Sequence, residues 1–412
     1  MGHVAGRRGR LRGGRLALSE VTSTVTAVRD EIVRQIRRHG PLPVEAVVER
    51  ALYSDDGGFY ESGGVAGGRG GDFLTSPEVG SLFGAVVARA LDGWWRAMGS
   101  PDPFVVVDAG AGPGTLCRSV LAAGPDCTPA LRYVLVERSA AQRRRHAERL
   151  RIEDPALAFA PVDRDTDEPV VGSPVGPIVV SLAALPRISG PAVVIANELV
   201  DNLPFGLAER RGSGPSGRWC EVRIDWEDAP AAGEGRFVER LVPLDDERSA
   251  MLARLVPDPP DGARVPLQDE ARRWLRDALA LAGVGTGGRV AVIDYGTTSA
   301  ELAGRPQDEW MRTYRGHARG GGYLADVGTQ DVTAEVAFDQ LALVRPPASD
   351  RSQAGWLRAW GLDELVDDAR RAWSERAHVG DLAALTARSR VTEADALTDP
   401  TGLGAFRVLE WD

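Results

Sequence analysis

Hydrophobic residues along the chain recur at two spacings, one typical of buried strands and one typical of amphipathic helices. Continuous apolar runs predict buried parallel strands at 104–107, 132–137, 192–198 and 289–294, and a further short strand is expected near 156–160. Helical spacing covers 24–39, the residues that follow Pro77, and about 267–282. Between 205 and 244 the residues alternate and are often β-branched, which predicts an antiparallel ribbon. The chain therefore reads as a parallel α/β protein with an antiparallel addition.

Two segments before the first of these strands combine loop and ligand signals. Residues 57–71 are glycine-rich, and composition alone leaves a flexible linker and a lid over a site equally open. The segment after this loop leads into a long predicted helix, for which Ser76 suits the N-cap and Pro77 the first helical position. Asp72, Thr75 and Ser76 therefore serve either as loop and cap residues or as ligand contacts.

A glycine turn follows the first buried strand. Gly110, Gly112 and Gly114 come directly after it, and a helix is predicted from Thr115. Glycine allows the backbone to approach a ligand closely, and the helix start offers free N–H groups. The same spacing also occurs in purely structural turns. The next strand ends in Glu137, however, and an acid at that place can accept both hydroxyl groups of a ribose. Together these elements predict a ribose-containing ligand.

The exit of the strand at 192–198 carries a third group of polar residues. Asn197, Glu198 and Asp201 follow this strand, where side chains of a parallel sheet face the ligand crevice. A helix cap made by Asn197 and Asp201 is the structural alternative.

Composition narrows the possible functions. The net charge of −10 argues against nucleic acid as the main partner. The arginines among the first fifteen residues favour a disordered tail over a nucleic-acid arm. All 49 basic residues are arginine, which excludes a P-loop lysine and a Schiff-base lysine. Three cysteines without a C-x-x-C pair and five scattered histidines predict no metal site. No apolar run suggests a membrane span, and we expect a cytoplasmic location.

Several sequence blocks occur in an order that resembles one protein family. The blocks are GDFLTSPEVGSLFG (71–84), DAGAGPGTL (108–116), YVLVERS (133–139), NELVDNLP (197–204), AVIDYG (291–296), RTYRGH (312–317), QDVTAEVAF (330–338) and GLGAFRVL (402–409). Together they resemble the MidA-type family of S-adenosylmethionine-dependent methyltransferases. Mitochondrial members of that family assist respiratory complex I assembly by methylating an arginine of a complex I subunit. The resemblance spans about residues 25 to 409.

The resemblance implies a Rossmann-like, seven-stranded methyltransferase sheet with helical and β-ribbon cap additions, and S-adenosylmethionine as the cofactor. The implied cofactor-binding residues are Asp108, Gly110, Gly112, Gly114 and Glu137, and Asp72, Thr75 and Ser76 are the further candidate cofactor contacts. The glycines would pass beneath the methionine part, and Glu137 would hold the ribose. Asp108 stands where the family commonly has glutamate. Glu335 and Ala337 stand where histidine and aspartate are usual, so the acceptor of this chain could differ.

The resemblance also divides the chain. The expected units are a disordered basic tail (1–20), an N-terminal helical and glycine-loop cap (21–100), a cofactor-binding core (101–204), a β-ribbon insertion (205–265), and the rest of the core with C-terminal substrate-side elements (266–412).

Methyl transfer from a sulfonium is an in-line displacement, which needs alignment and exclusion of water and no metal. A guanidinium acceptor must be held and must lose a proton, and carboxylates do both. Glu198 and Asp201 are the predicted catalytic residues, with Asn197 as a positioning group and His317 as a weaker candidate base. The expected partner is a methyl-acceptor protein, for which a complex I subunit is one candidate. Two alternatives are an NAD-dependent oxidoreductase and a cofactor-binding assembly factor without catalysis.

Overall fold

The computed structural model describes residues 14–62, 75–159, 175–188, 190–229, 235–315 and 318–412, and their side chains from residue 27 onward except that of Pro215. The strands are β1 Leu42–Pro43, β2 Phe104–Ala109, β3 Leu131–Val136, β4 Ile178–Leu182, β5 Val193–Asn197, β6 Gly206–Arg211, β7 Arg218–Glu227, β8 Arg236–Pro243, β9 Arg264–Leu267, β10 Arg289–Asp294, β11 Gly296–Thr297, β12 Met311–Arg315, β13 Ala318–Arg319, β14 Asp331–Ala334, β15 Val336–Ala337, β16 Ser349–Ser352 and β17 Arg407–Trp411. The helices are α1 Gly14–His39, α2 Val44–Tyr53, α3 Ser76–Val79, α4 Ser81–Ala97, α5 Thr115–Ala123, α6 Ala140–Arg149, α7 Pro155–Ala158, α8 Asp246–Leu255, α9 Asp269–Ala282, α10 Ser299–Ala303, α11 Gln307–Trp310, α12 Phe338–Ala342, α13 Gln353–Ala359, α14 Leu362–Arg376 and α15 Leu382–Thr398. Short 3-10 turns lie at Thr128–Ala130, Val200–Asn202, Gly214–Ser216 and Leu403–Ala405.

A seven-stranded sheet forms the centre of the fold. Its strand order is β16-β17-β10-β5-β2-β3-β4, in which β10, β5, β2, β3 and β4 are parallel. Only β17 runs antiparallel to its two neighbours in this sheet. The order reverses direction at β2, because the chain first adds β3 and β4 on one side and then β5 and β10 on the other. The carboxyl ends of β2, β3 and β5 therefore meet at a topological switch point, where such sheets bind ligands. The predicted fold class is confirmed.

Both faces of the sheet are covered, which explains the continuous apolar runs of its central strands. All six residues of β3 are buried. In β2, Val106 packs into the cluster formed with α4 and α5, while Val107 packs into the cluster formed with α9. Successive side chains of a strand point to opposite faces, so an apolar residue is needed at every position when both faces are buried.

A second sheet carries the predicted antiparallel ribbon. Strands β1, β7, β6 and β9 form its main path, and β8 pairs with β7 from Cys220 opposite Pro243 to Glu227 opposite Arg236. Helices α1 and α2 pack on this sheet through a separate hydrophobic cluster that includes Val28 and Leu52. This cluster places the end of α2 beside the carboxyl edge of the large sheet, where Tyr53 donates a hydrogen bond to the carbonyl of Asn202.

The structure differs from the sequence prediction at three elements. The expected strand near 156–160 is wrong: Pro155–Ala158 form α7, because the Asp154 carboxylate accepts the Ala156 N–H as an N-cap. The strand that pairs with β3 at this edge of the sheet is instead β4, which is not among the strands predicted from the sequence.

The helix predicted after Ser76 is divided in two at Gly80, and Thr75 rather than Ser76 is the N-cap of the first part. The Glu393 carboxylate of α15 accepts the Leu82 N–H and so caps α4. A Cβ at position 80 would lie 2.0 Å from the Glu393 Cδ, so only glycine fits beside this cap. In addition, α1 begins at Gly14, earlier than the predicted start at 24, and the tail before Gly14 lies outside the described residues.

Within the described part of the chain, no helix combines the length and apolarity that crossing a membrane requires.

Candidate functional site

The glycine turn between β2 and α5 needs glycine at each predicted position. Gly110, Gly112 and Gly114 have φ of 72°, 52° and 79°, which is the left-handed region that disfavours residues with a Cβ. A Cβ at Gly110 would also lie 2.9 Å from the Leu199 side chain. At Gly112 nothing lies within 4 Å of the Cβ position, so this backbone borders open space. The turn thus exposes peptide groups to the carboxyl edge of the sheet.

Glu137 lies directly opposite this turn. Its Oε2 accepts the Gly112 N–H at 3.0 Å, and its Oε1 accepts the Ser139 N–H at 2.8 Å. Burial raises the pKa of Glu137, and these two hydrogen bonds oppose that rise. A carboxylate has about four lone-pair positions. One bond to each oxygen therefore leaves each oxygen able to accept a hydroxyl group of a ligand.

His146 of α6 supports the turn from behind, and sequence reasoning did not identify it. Its side chain is fully buried, with Nε2 2.7 Å from the Gly112 carbonyl oxygen and Nδ1 2.9 Å from the Ser181 hydroxyl. Because a carbonyl only accepts, Nε2 carries the proton and Nδ1 accepts from Ser181. Burial lowers the pKa of His146, which favours this neutral form. His146 therefore fixes the orientation of the Gly112 peptide.

The turn after β5 presents Glu198 to the same edge. Glu198 has φ of 53°, an uncommon conformation for a residue with a Cβ that is often found at functional sites. Its Oε1 accepts the Ser76 N–H at 2.8 Å and the Asn197 Nδ2–H at 3.1 Å. Both of these donors reach Oε1, so Oε2 can accept a hydrogen bond from a ligand. Burial raises the pKa of Glu198 to about 8, against the hydrogen bond from Ser76.

Asp201 lies in the same turn but is buried at 1% exposure and does not line the cavity described below. Its Oδ2 accepts the Thr333 hydroxyl at 2.7 Å. Asp294, at the end of β10, accepts the N–H groups of Val200 and Asp201 at 2.9 and 3.3 Å. Burial raises the pKa of Asp201 to about 6 and raises the pKa of Asp294 well above its usual value. The two buried carboxylates hold the turn that carries Glu198.

A cavity of about 330 Å³ connects the glycine turn, Glu137 and Glu198. This volume is within the size range of small-molecule sites. Its lining residues are Tyr53, Tyr60, Ala109, Gly110, Gly112, Val136, Glu137, Arg138, Gln142, Ala183, Ala184, Leu185, Glu198, Leu199, Asn202, Leu203, Glu270 and Trp274. Tyr53 and Tyr60, whose rings stack at 5.4 Å, were not predicted as site residues. Two tyrosines seven positions apart give no clear sequence signal, because their place beside the cavity depends on the packing of α2.

The remaining predicted contacts lie around the cavity. Ser76 is fully buried and its hydroxyl donates to Gln353 Oε1 at 3.1 Å, so it touches the site through its backbone bond to Glu198. Asp108 is 2% exposed and accepts the Tyr133 hydroxyl at 3.1 Å inside the sheet; burial raises its pKa to about 7. Thr75 precedes α3 and does not line the cavity. The roles of these three residues toward the cofactor stay predictions, and Asp72 lies outside the described residues.

Two of the departures from the resembled family, Glu335 and Ala337, are not in the cavity lining. The Glu335 carboxylate binds the Arg305 guanidinium with both oxygens, at 2.7 and 2.8 Å, and Arg312 at 3.1 Å. The Ala337 N–H donates to the Gln268 side chain at 2.8 Å. Both positions therefore have structural partners. His317, the weaker candidate base, lies outside the described residues.

The residues of the cavity fit S-adenosylmethionine. Glu137 keeps two acceptor positions for ribose hydroxyls, and the open space beside Gly112 allows a ligand to lie against the turn. Apolar residues after β4, Ala183–Leu185, can cover a purine ring. Carboxylates and the tyrosine rings of the lining attract a cationic sulfonium. We therefore consider the turn, Glu137 and the segment after β4 as the groups that would hold the cofactor.

Comparisons with known proteins agree with S-adenosylmethionine as the cofactor. Residues 86–353 match the family model of S-adenosyl-L-methionine-dependent methyltransferases. The protein arginine methyltransferase NDUFAF7 homolog of Drosophila melanogaster mitochondria is 29% identical over 343 residues, covering 81% of this chain and 73% of the relative. The mouse mitochondrial protein arginine methyltransferase NDUFAF7 is 25% identical, covering 78% and 70%.

A solved structure of a COG1565 superfamily member from Burkholderia thailandensis, bound to S-adenosyl-homocysteine, superimposes with a TM-score of 0.75. It is 26% identical and covers 98% of this chain and 95% of its own. Of the two cofactors that the glycine turn left open, the comparisons show S-adenosylmethionine rather than NAD.

Proposed function

This chain belongs to the family of S-adenosyl-L-methionine-dependent methyltransferases, and from that premise we propose that it methylates an arginine side chain of another protein. The relatives from fly and mouse are named protein arginine methyltransferases, which supports this acceptor class. The observation that carries the proposal is the cavity itself, which combines the carboxylates Glu137 and Glu198 with two tyrosine rings. Carboxylates and aromatic faces both attract a guanidinium.

In this proposal, Glu137 and the glycine turn bind the cofactor, which supplies an electrophilic methyl group on a cationic sulfur. Glu137 would accept the ribose hydroxyls, and the Gly112 backbone, whose orientation His146 fixes, would lie against the methionine part. Apolar residues around the cavity exclude water, which would otherwise compete with the acceptor. Orientation of the acceptor nitrogen toward the methyl carbon is the main contribution of the protein to the rate.

Glu198 holds the acceptor and receives its proton. Oε2 pairs with the guanidinium, while the Ser76 and Asn197 hydrogen bonds keep Oε1 in place. Its raised pKa makes the carboxylate a better proton acceptor, since a pKa near the working pH suits a general base. Asp201 contributes from behind, because it stabilises the turn that orients Glu198.

A labelling experiment tests this function. Purified protein is incubated with isotope-labelled S-adenosylmethionine and with an extract from host cells that do not make this protein. Labelled peptides are then identified by mass spectrometry. We expect the label on arginine. We expect Glu198→Gln to lower the rate of labelling by about 100-fold, as for loss of a general base, and to leave the affinity for S-adenosyl-homocysteine unchanged. Glu61→Gln is the matched control, because Glu61 lies near the site but does not line the cavity.

Label on another residue type would contradict the arginine proposal. If no protein is labelled although the cofactor binds, the alternative of an assembly factor without catalysis gains support. A complex I subunit as acceptor and a cytoplasmic location are further proposals, which the identity of the labelled protein and fractionation of the host cell would test.

A further inference from the structure

The chain places one of its own guanidinium groups at the edge of the methyl-transfer cavity. Arg138 follows Glu137 directly, and its Nη1 and Nη2 bind the two oxygens of the Glu49 carboxylate, Nη1 to Oε2 at 3.0 Å. The guanidinium carbon also lies 4.4 Å from the centre of the Tyr53 ring. Glu49 and Tyr53 are one helical turn apart on α2, so a rigid element presents both groups to the same guanidinium. We call this pair the α2 clamp.

The α2 clamp is continuous with the cavity. Tyr53 and Arg138 both line it, and the Tyr53 hydroxyl donates to the Asn202 carbonyl at 3.1 Å in the turn that carries Glu198. On its outer side the clamp borders a second recess of about 350 Å³. Among the described residues that line this recess, Glu31, Glu49, Asp55 and Asp56 supply four carboxylates, and Arg50 supplies one guanidinium. A cationic side chain that approaches from this side therefore meets a negative surface before it reaches Tyr53.

We propose that Glu49 and Tyr53 form an outer subsite that recognises the acceptor arginine on its way to Glu198, and that Arg138 occupies this subsite as an internal competitor in the absence of the acceptor. The inference rests on the proposed function, because it assumes an arginine acceptor. A carboxylate that binds with both oxygens and an aromatic face matches the planar fork of arginine and does not match the ammonium group of lysine.

Exchange of one guanidinium for another is feasible at this position. The Arg138 and Glu49 side chains are 54% and 36% exposed, so Arg138 can leave to solvent without a buried charge remaining. Exposed ion pairs and cation–π contacts are individually weak, and together they reduce the apparent affinity for a competing ligand by about tenfold.

Direct binding of a peptide tests the clamp independently of catalysis. The probe is a short alanine peptide with one central arginine, titrated by calorimetry into the full chain saturated with S-adenosyl-homocysteine. The same peptide with citrulline, which keeps the shape of arginine without its charge, measures specificity. We expect Arg138→Ala to bind the arginine peptide about tenfold more tightly than the parent protein, with no gain for the citrulline peptide. Adding Glu49→Gln to Arg138→Ala removes the gain.

Arg144→Ala is the matched control for charge. Arg144 is an exposed arginine of α6, six positions after Arg138, and its removal changes the net charge equally, so we expect less than about a twofold effect. Equal affinities of Arg138→Ala and Arg144→Ala, or weaker binding by Arg138→Ala than by the parent, would overturn the inference.

The two proposals can fail separately. If the arginine peptide binds more tightly to the Arg138→Ala variant as expected, but no protein arginine is labelled in the extract, the α2 clamp stands and the proposed function fails. If arginine is labelled and the Arg138→Ala gain is absent, the proposed function stands and the clamp fails.

Discussion

Removal of the Glu137 carboxylate is the most direct perturbation of the proposed cofactor site. In the structure this carboxylate joins the glycine turn to the start of α6, through the N–H groups of Gly112 and Ser139. Glu137 lines the cavity, and its oxygens keep lone pairs that can accept further hydrogen bonds. Glu137→Ala removes all acceptor positions, and Glu137→Gln keeps one oxygen but replaces the other with an amide that can only donate.

The expected loss follows from the number of hydrogen bonds. A hydrogen bond to a charged group contributes about 1.5–3 kcal/mol, so two ribose hydroxyls bound at Glu137 contribute at least about 3 kcal/mol. This corresponds to roughly 150-fold weaker binding of S-adenosyl-homocysteine by Glu137→Ala. Glu137→Gln loses one of the two bonds, and we expect roughly tenfold weaker binding.

Calorimetric titration with S-adenosyl-homocysteine measures these losses, with thermal unfolding of each variant as a check on the fold. Glu61→Gln serves as the control, because the Glu61 carboxylate accepts the Ala140 N–H at 3.0 Å near the same turn without lining the cavity. A Kd of Glu137→Ala within roughly threefold of the parent, in a protein that still folds, would refute the ribose contact. A comparable loss of affinity in Glu61→Gln would instead show that the weaker binding comes from a disturbed turn rather than from a lost ribose contact.

Three further outcomes are expected. Burial raises the pKa of Glu198 to about 8, and only the ionised carboxylate accepts a proton. The value of kcat/KM should therefore rise as pH increases through about 8, and Glu198→Gln should abolish that rise in the pH–rate profile. His146→Phe leaves the Gly112 carbonyl without its buried donor, which costs about 1–3 kcal/mol; S-adenosyl-homocysteine should bind more weakly by calorimetry, and unchanged affinity would exclude this positioning role. Glu393→Gln removes the charge that caps α4 at Leu82, so urea unfolding should show a loss of about 1–2 kcal/mol with cofactor affinity unchanged.

The central strands and the cofactor turn could be predicted from sequence because their signals are local. Strand β2 is buried on both faces and therefore carries an unbroken apolar run, and the glycines after it are required by their own φ angles. Glu137 was identified because its place at the end of a strand determines which edge of the sheet it faces. Strand β4 carried the same kind of signal but was obscured by the proline-rich residues around it.

The supports of the site could not be predicted in this way. His146 is a polar residue on a helix, and only the packing of α6 against the sheet brings its ring to the Gly112 carbonyl. Asp201 was predicted to act on the acceptor, whereas the structure places it behind the cavity against Thr333, 132 positions away in the chain.

By itself, the sequence determined the strand and helix periodicity, the glycine turn at 110, 112 and 114, the acid at the exit of β3, and through its ordered blocks the methyltransferase family. Tertiary structure alone decided which residues surround the cavity. Glu49, Tyr53 and Arg138 form the α2 clamp only because the N-terminal helices pack on the second sheet, beside the carboxyl edge of the first. A strand's hydrophobic pattern reports whether its faces are buried, while the identity of its neighbours depends on contacts between segments far apart in the chain.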